Sequence, residues 1–305
     1  MPRSVKEAYH PESDLVVGKG KGLIMLFHGP PGLGKTSTAE CLAAYAHKPL
    51  FPITAADIGT TPQEVEMSLQ TIFGLSQRWE CILLFDEADI ILQARDRDNF
   101  GRNAIVTVFL RTLEYYSGIL IMTTNRVGIV DEAFKSRIHV TLYFPKLDLE
   151  SFLMIWQTAL QRLRYDKDID IDEKRIMRFA REVWKRSKDH PMNGRDIQNT
   201  IQSAVALAEF DAKNGGGRVT LAPQHIDPVL KMSDDFNKYL TAVHGVSDSE
   251  QARLSGDRDD EADWESSTFL DEASSVPLYT TSRRALGPND PDRDSGYRSS
   301  SRWYE

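Results

Sequence analysis

Eight consecutive residues restrict what this chain can fold into more than any other feature. Gly29-Pro30-Pro31-Gly32-Leu33-Gly34-Lys35-Thr36 fits the pattern G-x-x-x-x-G-K-[ST] and stands between an apolar, strand-sized run, Leu23–His28, and an amphipathic stretch, Lys35–Ala46. The glycines let the chain curl until successive backbone N–H groups point inward, and the helix that follows adds the positive end of its dipole. A loop built this way is a cradle for phosphate oxygens. Within it Lys35 is placed to reach β- and γ-phosphates and the Thr36 hydroxyl to bind Mg²⁺.

Around the loop, short apolar runs alternate with amphipathic stretches. The runs are Leu23–His28, Leu50–Ile53, Cys81–Phe85, Ile119–Thr123 and Val140–Phe144, and between them Lys35–Ala46, Pro62–Gln77 and Arg102–Tyr116 carry apolar residues at helical spacing. The pattern predicts an α/β domain over residues 23–147, with five parallel strands covered by helices. After Pro145 only helical patterns follow, at Leu149–Leu163, Asp172–Ser187, Arg195–Asn214 and Pro223–Lys231, which predicts a helical lid over 148–244. The triplet Gly215-Gly216-Gly217 breaks the third helix from a short extended stretch, Arg218–Leu221, expected to pack back on the lid. Residues 1–22 read as a lead segment. From Gly245 to Glu305 Ser, Asp, Arg, Gly and Pro crowd out the aliphatics, which predicts a disordered acidic tail.

A second chemical feature ends the third apolar run: Cys81-Ile82-Leu83-Leu84-Phe85-Asp86-Glu87 is a buried strand closing on two carboxylates. Asp86 is placed to hold the Mg²⁺ shell, and Glu87 to accept a proton from the water that attacks the γ-phosphate. Asp86-Glu87-Ala88-Asp89 also spells the box of one helicase class. Such helicases close a second α/β domain over ATP, and nothing after Pro145 reads as one.

The order of these motifs over about Leu23–Met232 resembles AAA+ ATPases. It looks nearest to fungal AAA-domain proteins, in which runs like Gly18-Lys19-Gly20-Lys21-Gly22-Leu23, Arg102-Asn103-Ala104 and Phe109-Leu110-Arg111 accompany the Walker motifs. The resemblance implies strand order 5-1-4-3-2, a C-terminal lid, and assembly with copies of itself into a ring, as a hexamer. It also implies three roles. Asn125, at the end of Thr123-Thr124-Asn125, is similar to the sensor-1 residue that holds the attacking water or a γ-phosphate oxygen. Arg137, in Asp131-Glu132-Ala133-Phe134-Lys135-Ser136-Arg137, resembles an arginine finger offered to the neighbouring subunit. Arg195, in Gly194-Arg195-Asp196-Ile197, resembles sensor 2, where an arginine folds back onto the phosphates. The cofactors implied are ATP and Mg²⁺. The pattern with two arginines found in many relatives is incomplete here, since Lys135 stands nearby. Asp57-Ile58-Gly59-Thr60-Thr61-Pro62 lacks the aromatic that protein-threading relatives use, so a softer remodelling of an unknown protein client is the expectation. With 28 residues before Gly29, the chain reads as a truncated or minimal member of the family.

Other features narrow the reading. The net charge is −8, and from Gly245 onward 14 acidic residues stand against 7 basic, so the body is close to neutral and nucleic acid is not an expected partner. No apolar run reaches the length of a membrane helix, and acidic residues follow the start at once, which points to cytoplasm or nucleus. Cys41 and Cys81 read as buried free thiols, and Trp79, Trp156 and Trp184 as core. Asp166, Asp168 and Asp170 imitate a calcium loop, but Ile171 replaces the glycine its sharp turn needs. Two functions fit: an Mg²⁺-dependent ATPase that works on a protein partner, or a nucleotide-gated assembly module with little turnover.

Overall fold

In a computed structural model the chain is described over residues 22–95, 99–166, 169–187, 191–215 and 217–260, all within one compact unit spanning Met1–Glu261. The lead segment before Gly22, Asp168 of the acidic triplet, and the chain from Glu261 on, with Trp264, Phe269, Tyr279, Tyr297, Trp303 and Tyr304, lie outside the described residues.

The five apolar runs form β1 (Leu23–His28), β2 (Leu50–Ile53), β3 (Ile82–Phe85), β4 (Ile119–Thr124) and β5 (Val140–Tyr143), all parallel, in the order β2-β3-β4-β1-β5. This is the expected 5-1-4-3-2 arrangement. The inner strands are apolar without interruption because both faces are covered. Along β3, Leu83 and Phe85 point into one core and Ile82 and Leu84 into the other, the period of two that a pleated strand imposes. The first core is closed by α3 (Pro62–Arg78) and α5 (Phe100–Leu113), through Val65, Leu69, Phe73, Val106, Phe109 and Leu110. The second is thinner and is closed by α1 (Lys35–Tyr45), whose Ala39 and Ala43 let its backbone lie close to the sheet. Short helices α2 (Ala55–Ile58), α4 (Asp89–Leu92) and α6 (Glu132–Lys135) fill the connections.

The lid comprises α7 (Leu149–Asp166), α8 (Glu173–Arg186), α9 (Gly194–Gly215) and α10 (Pro223–His244), packed around Phe152, Trp156, Leu160, Ile176, Ile201 and Ile226. Arg218–Leu221 does return to it, its end pairing as β7 (Thr220–Leu221) in parallel with β6 (Asp170–Ile171), a strand the sequence pattern did not suggest. Three further expectations are corrected. Cys41 is exposed on α1, because the alanines occupy the sheet-facing side; Cys81 is buried. Trp79 is 54% exposed, lying across Phe51 at the helix end, whereas Trp156 is fully buried. The folded chain also does not stop at Gly245. That residue caps α10 in the left-handed region (φ 77°), and α11 (Asp248–Leu254) follows, N-capped by Ser247.

Candidate active site

Loop, acid pair and polar strand end meet at the C-terminal edge of the sheet, where β1, β3 and β4 are neighbours. Gly34 sits at the N-cap of α1 with φ 92°, a conformation that favours glycine, and a Cβ there would meet nothing within 4 Å. The space over the loop is therefore open. Lys35 is 7% exposed and folds into the loop, its Nζ donating to the carbonyls of Gly29 at 2.9 Å and Pro30 at 2.7 Å. Burial, then the nearby Arg258 guanidinium, push this ammonium down to about 8. The same burial, followed by the charge of Lys35, holds His28 below its ordinary range.

The Thr36 hydroxyl lies 3.1 Å from both carboxylate oxygens of Asp86. A hydroxyl and a carboxylate converging in this way form an all-oxygen donor set suited to a hard cation such as Mg²⁺, which takes one or two carboxylates and completes its shell with phosphate and water. Asp86 is held in turn by the Thr123 hydroxyl, which also accepts the backbone N–H of Glu87 at 3.0 Å. Glu87 has φ 51°, a left-handed conformation costing a non-glycine residue about 1–2 kcal/mol. The bond to Thr123 and the one from Ala88 N–H to the Thr123 carbonyl (2.9 Å) stabilise it, at about 1 kcal/mol each. The turn lifts the Glu87 side chain into the open. Beside it, Asp89 accepts from the Thr124 hydroxyl, and the side-chain oxygen of Asn125 is buried with no hydrogen-bond partner among the described residues.

Two arginines complete the set differently. Arg195 opens α9, and its backbone N–H reaches the Gly32 carbonyl at 3.3 Å, so lid and loop touch directly. Gly32 has φ 75°, and a Cβ there would lie 2.3 Å from the Asn193 side chain. Arg137 stands elsewhere. Its Nη1 donates to the Ala133 carbonyl at 2.7 Å, Nη2 pairs with Glu114, and the group borders a cavity of about 300 Å³ lined also by Gly22, Ile24 and His139. Those residues mark the start of β1, whereas the loop leaves from its end, roughly 15–20 Å away at ~3.3 Å per residue. Arg137 is thus outside the cluster formed by Lys35, Thr36, Asp86, Glu87 and Asn125. Asp131 sets its helix: this N-cap accepts from Ala133 N–H (2.9 Å) and pairs with Arg95 (2.9 Å).

Sequence reasoning missed Thr123, Asp89, Asn193 and Arg258. The first two stood inside motifs already quoted, and a capping pattern marks Asn193, whose Oδ1 accepts from Asp196 N–H at 2.9 Å while Asp196 accepts from its N–H at 3.0 Å. Nothing in the sequence marked Arg258.

A parallel sheet in this order, a glycine-rich loop between β1 and α1, an acid pair after β3, a polar end to β4 and a helical lid touching the loop define a P-loop protein of the AAA+ class. Comparison with known families agrees: "ATPase family associated with various cellular activities (AAA)" matches residues 25–146, and "Fungal AAA+ ATPase lid domain" matches residues 147–247. The chain belongs to the AAA ATPase family. It is similar to the ATPase family AAA domain-containing protein FIGL1 of Arabidopsis thaliana, at 31% identity over 152 residues, which is 47% of this chain and 22% of that protein. Among solved structures it resembles the FIGL-1 AAA domain in complex with ADP, with a TM-score of 0.53 and 20% identity over 75% of this chain and 79% of that one. Among the described residues no helix is long and apolar enough to cross a membrane.

Proposed function

We propose that this chain binds ATP with Mg²⁺ in the loop of Gly29–Thr36 and hydrolyses it. The observation that carries the reading is the Thr36–Asp86 pair set beside an exposed Glu87 and the side-chain oxygen of Asn125, which has no partner among the described residues. The N–H groups of Gly29, Gly32, Leu33 and Gly34 cradle the phosphates, with Pro30 and Pro31 shaping the turn, and Lys35 exchanges its two carbonyl partners for β- and γ-phosphate oxygens. Thr36 and Asp86 hold Mg²⁺, which when bound neutralises charge building on the phosphates. Glu87 takes a proton from the attacking water, and Asn125 holds that water or a γ-phosphate oxygen through its amide. Arg195, at the mouth of the lid, couples lid position to the phosphates.

The remaining parts of the proposal concern assembly. Copies of the chain form a ring, taken here as six, in which Arg137 acts on the neighbour's nucleotide, and turnover drives remodelling of a protein client. The ADP complex of the FIGL-1 AAA domain supports the choice of an adenine nucleotide. Phosphate release and nucleotide binding test the core of the reading. Lys35→Ala should abolish binding, while Glu87→Gln should bind normally and turn over at least about a hundredfold more slowly, the size of a lost general base. Equal loss of binding in both variants would sink this division of roles. One observation favours an alternative, a nucleotide-gated assembly module with little turnover: Arg137 is held by its own subunit's Glu114. Phosphate release that stays negligible as protein concentration rises would select that alternative.

A further inference from the structure

The segment after the lid reaches the site. Beyond α11, Gly256 turns the chain (φ 69°), and residues 257–260 run along the loop that follows β4. The Gly128 N–H donates to the Asp257 carbonyl at 2.8 Å, and Arg126 Nε donates to the Asp257 carboxylate at 2.8 Å. A Cβ on Gly128 would lie 2.0 Å from the Gly256 carbonyl oxygen, so only a glycine lets the two backbones come this close. The next residue, Arg258, donates from Nη1 to the backbone carbonyl of Asn125 at 3.3 Å and from Nε to Asp260 at 2.9 Å. Its side chain is 14% exposed and that of Asp260 2%.

Burying a guanidinium is costly unless its charge is answered. Asp260 and the Asn125 carbonyl answer part of it, and the loop beside them carries another cation, Lys35. Lys35 in the loop and Arg258 on the main chain of Asn125 thus bring two cationic side chains to the edge of an open cradle, an arrangement suited to an anion. The position narrows the anion. Arg258 is fixed to the main chain of Asn125, on the side of the cradle where Asp86 and Glu87 end β3, which is where the outermost phosphate would lie.

We propose that Arg258 is a phosphate-binding residue supplied in cis by the segment after the lid, pairing with the terminal phosphate of a bound nucleoside triphosphate. Residues 247–260 are then part of the nucleotide site, with Asp260 orienting the guanidinium and the Arg126–Asp257 pair clamping the segment to the loop after β4. The proposal rests on the reading of that site as a triphosphate pocket.

The test measures binding of fluorescent ATP and ADP, with Mg²⁺, to the full-length protein and its variants. Arg258→Ala should weaken ATP about tenfold or more, the scale of a lost charge-assisted hydrogen bond, and leave ADP nearly unaffected. Arg258→Lys should recover part of the ATP affinity, since it restores charge without the fork. A second variant leaves Arg258 in place: Asp257→Arg should release the clamp and reduce the preference for ATP over ADP, and Arg126→Asp/Asp257→Arg should restore it. Affinities for ATP and ADP that both stay at wild-type values in Arg258→Ala, or that fall equally, overturn the proposal. So does an unchanged ATP preference in Asp257→Arg. Failure of the underlying reading looks different: wild type binds neither nucleotide, or Lys35→Ala binds as well as wild type.

Discussion

Thr123 joins the two acidic residues of the site through one hydroxyl, donating to the Asp86 carboxylate and accepting from the backbone N–H of Glu87. It is 2% exposed, so neither bond has water as a substitute. Thr123→Val keeps the shape and removes both bonds, leaving Asp86 held only by Thr36 and the strained Glu87 turn with one of its two supports. Losses of 10–100-fold are typical when a residue orienting a metal ligand is removed, and a fall of that size in the steady-state rate of phosphate release is the expected outcome. ATP affinity, carried mainly by the loop and Lys35, should change by less than about threefold, under about 0.7 kcal/mol. A variant that loses affinity and rate in equal measure would show Thr123 to be a general structural support rather than an orienting group. At this scale the sequence displays which residue types are present but not the hydrogen bonds between β3 and β4. Asp86, Glu87 and Asn125 were legible because their motifs end strands. Thr123 was not, since a threonine in an apolar run reads as one more β-branched strand former.

Contact between elements is set by a small number of residues, and the junction of loop and lid rests on Asn193. This residue caps α9 reciprocally with Asp196 and lies against Gly32, whose left-handed turn leaves room for it. Asn193→Ala removes an N-cap worth about 1 kcal/mol, and a drop of a few degrees in melting temperature, measured by differential scanning calorimetry, should follow. Because the same residue meets the loop, bound nucleotide should raise the melting temperature of the variant less than that of wild type. Equal nucleotide-induced shifts in the two proteins would confine Asn193 to capping. Long, periodic elements such as α7 and α9 were readable from their apolar spacing, and the five strands from their uninterrupted runs. Pairs two residues long, β6 and β7, carry too little pattern for any periodicity to show. The segment carrying α11 was hidden for another reason: Ala252 is its one buried aliphatic in the described chain, and it is held by a serine cap, two left-handed glycines and ion pairs, which in a sequence look like a solvated tail.

For the whole molecule the decisive question is where Arg137 works. Within one chain it lies by the start of β1, with the sheet between it and the phosphate loop, and its guanidinium pairs with Glu114 at the end of α5. An arginine so far from its own cradle could reach a phosphate only at a neighbour's, so on the proposed reading its function is a property of the assembly. Arg137→Ala should therefore bind ATP normally and release phosphate slowly, by a factor that reaches ~10³ or more for arginine fingers supplied in trans. Mixed with Lys35→Ala, which retains Arg137 but has a disabled cradle, it should regain activity, since some interfaces then pair an intact cradle with an intact arginine. Phosphate release measured across mixing ratios should pass through a maximum between the two pure proteins. A flat or monotonic profile, under conditions where sedimentation shows the two variants in one assembly, would place the role of Arg137 within its own subunit, as the partner of Glu114 that holds α5 against α6.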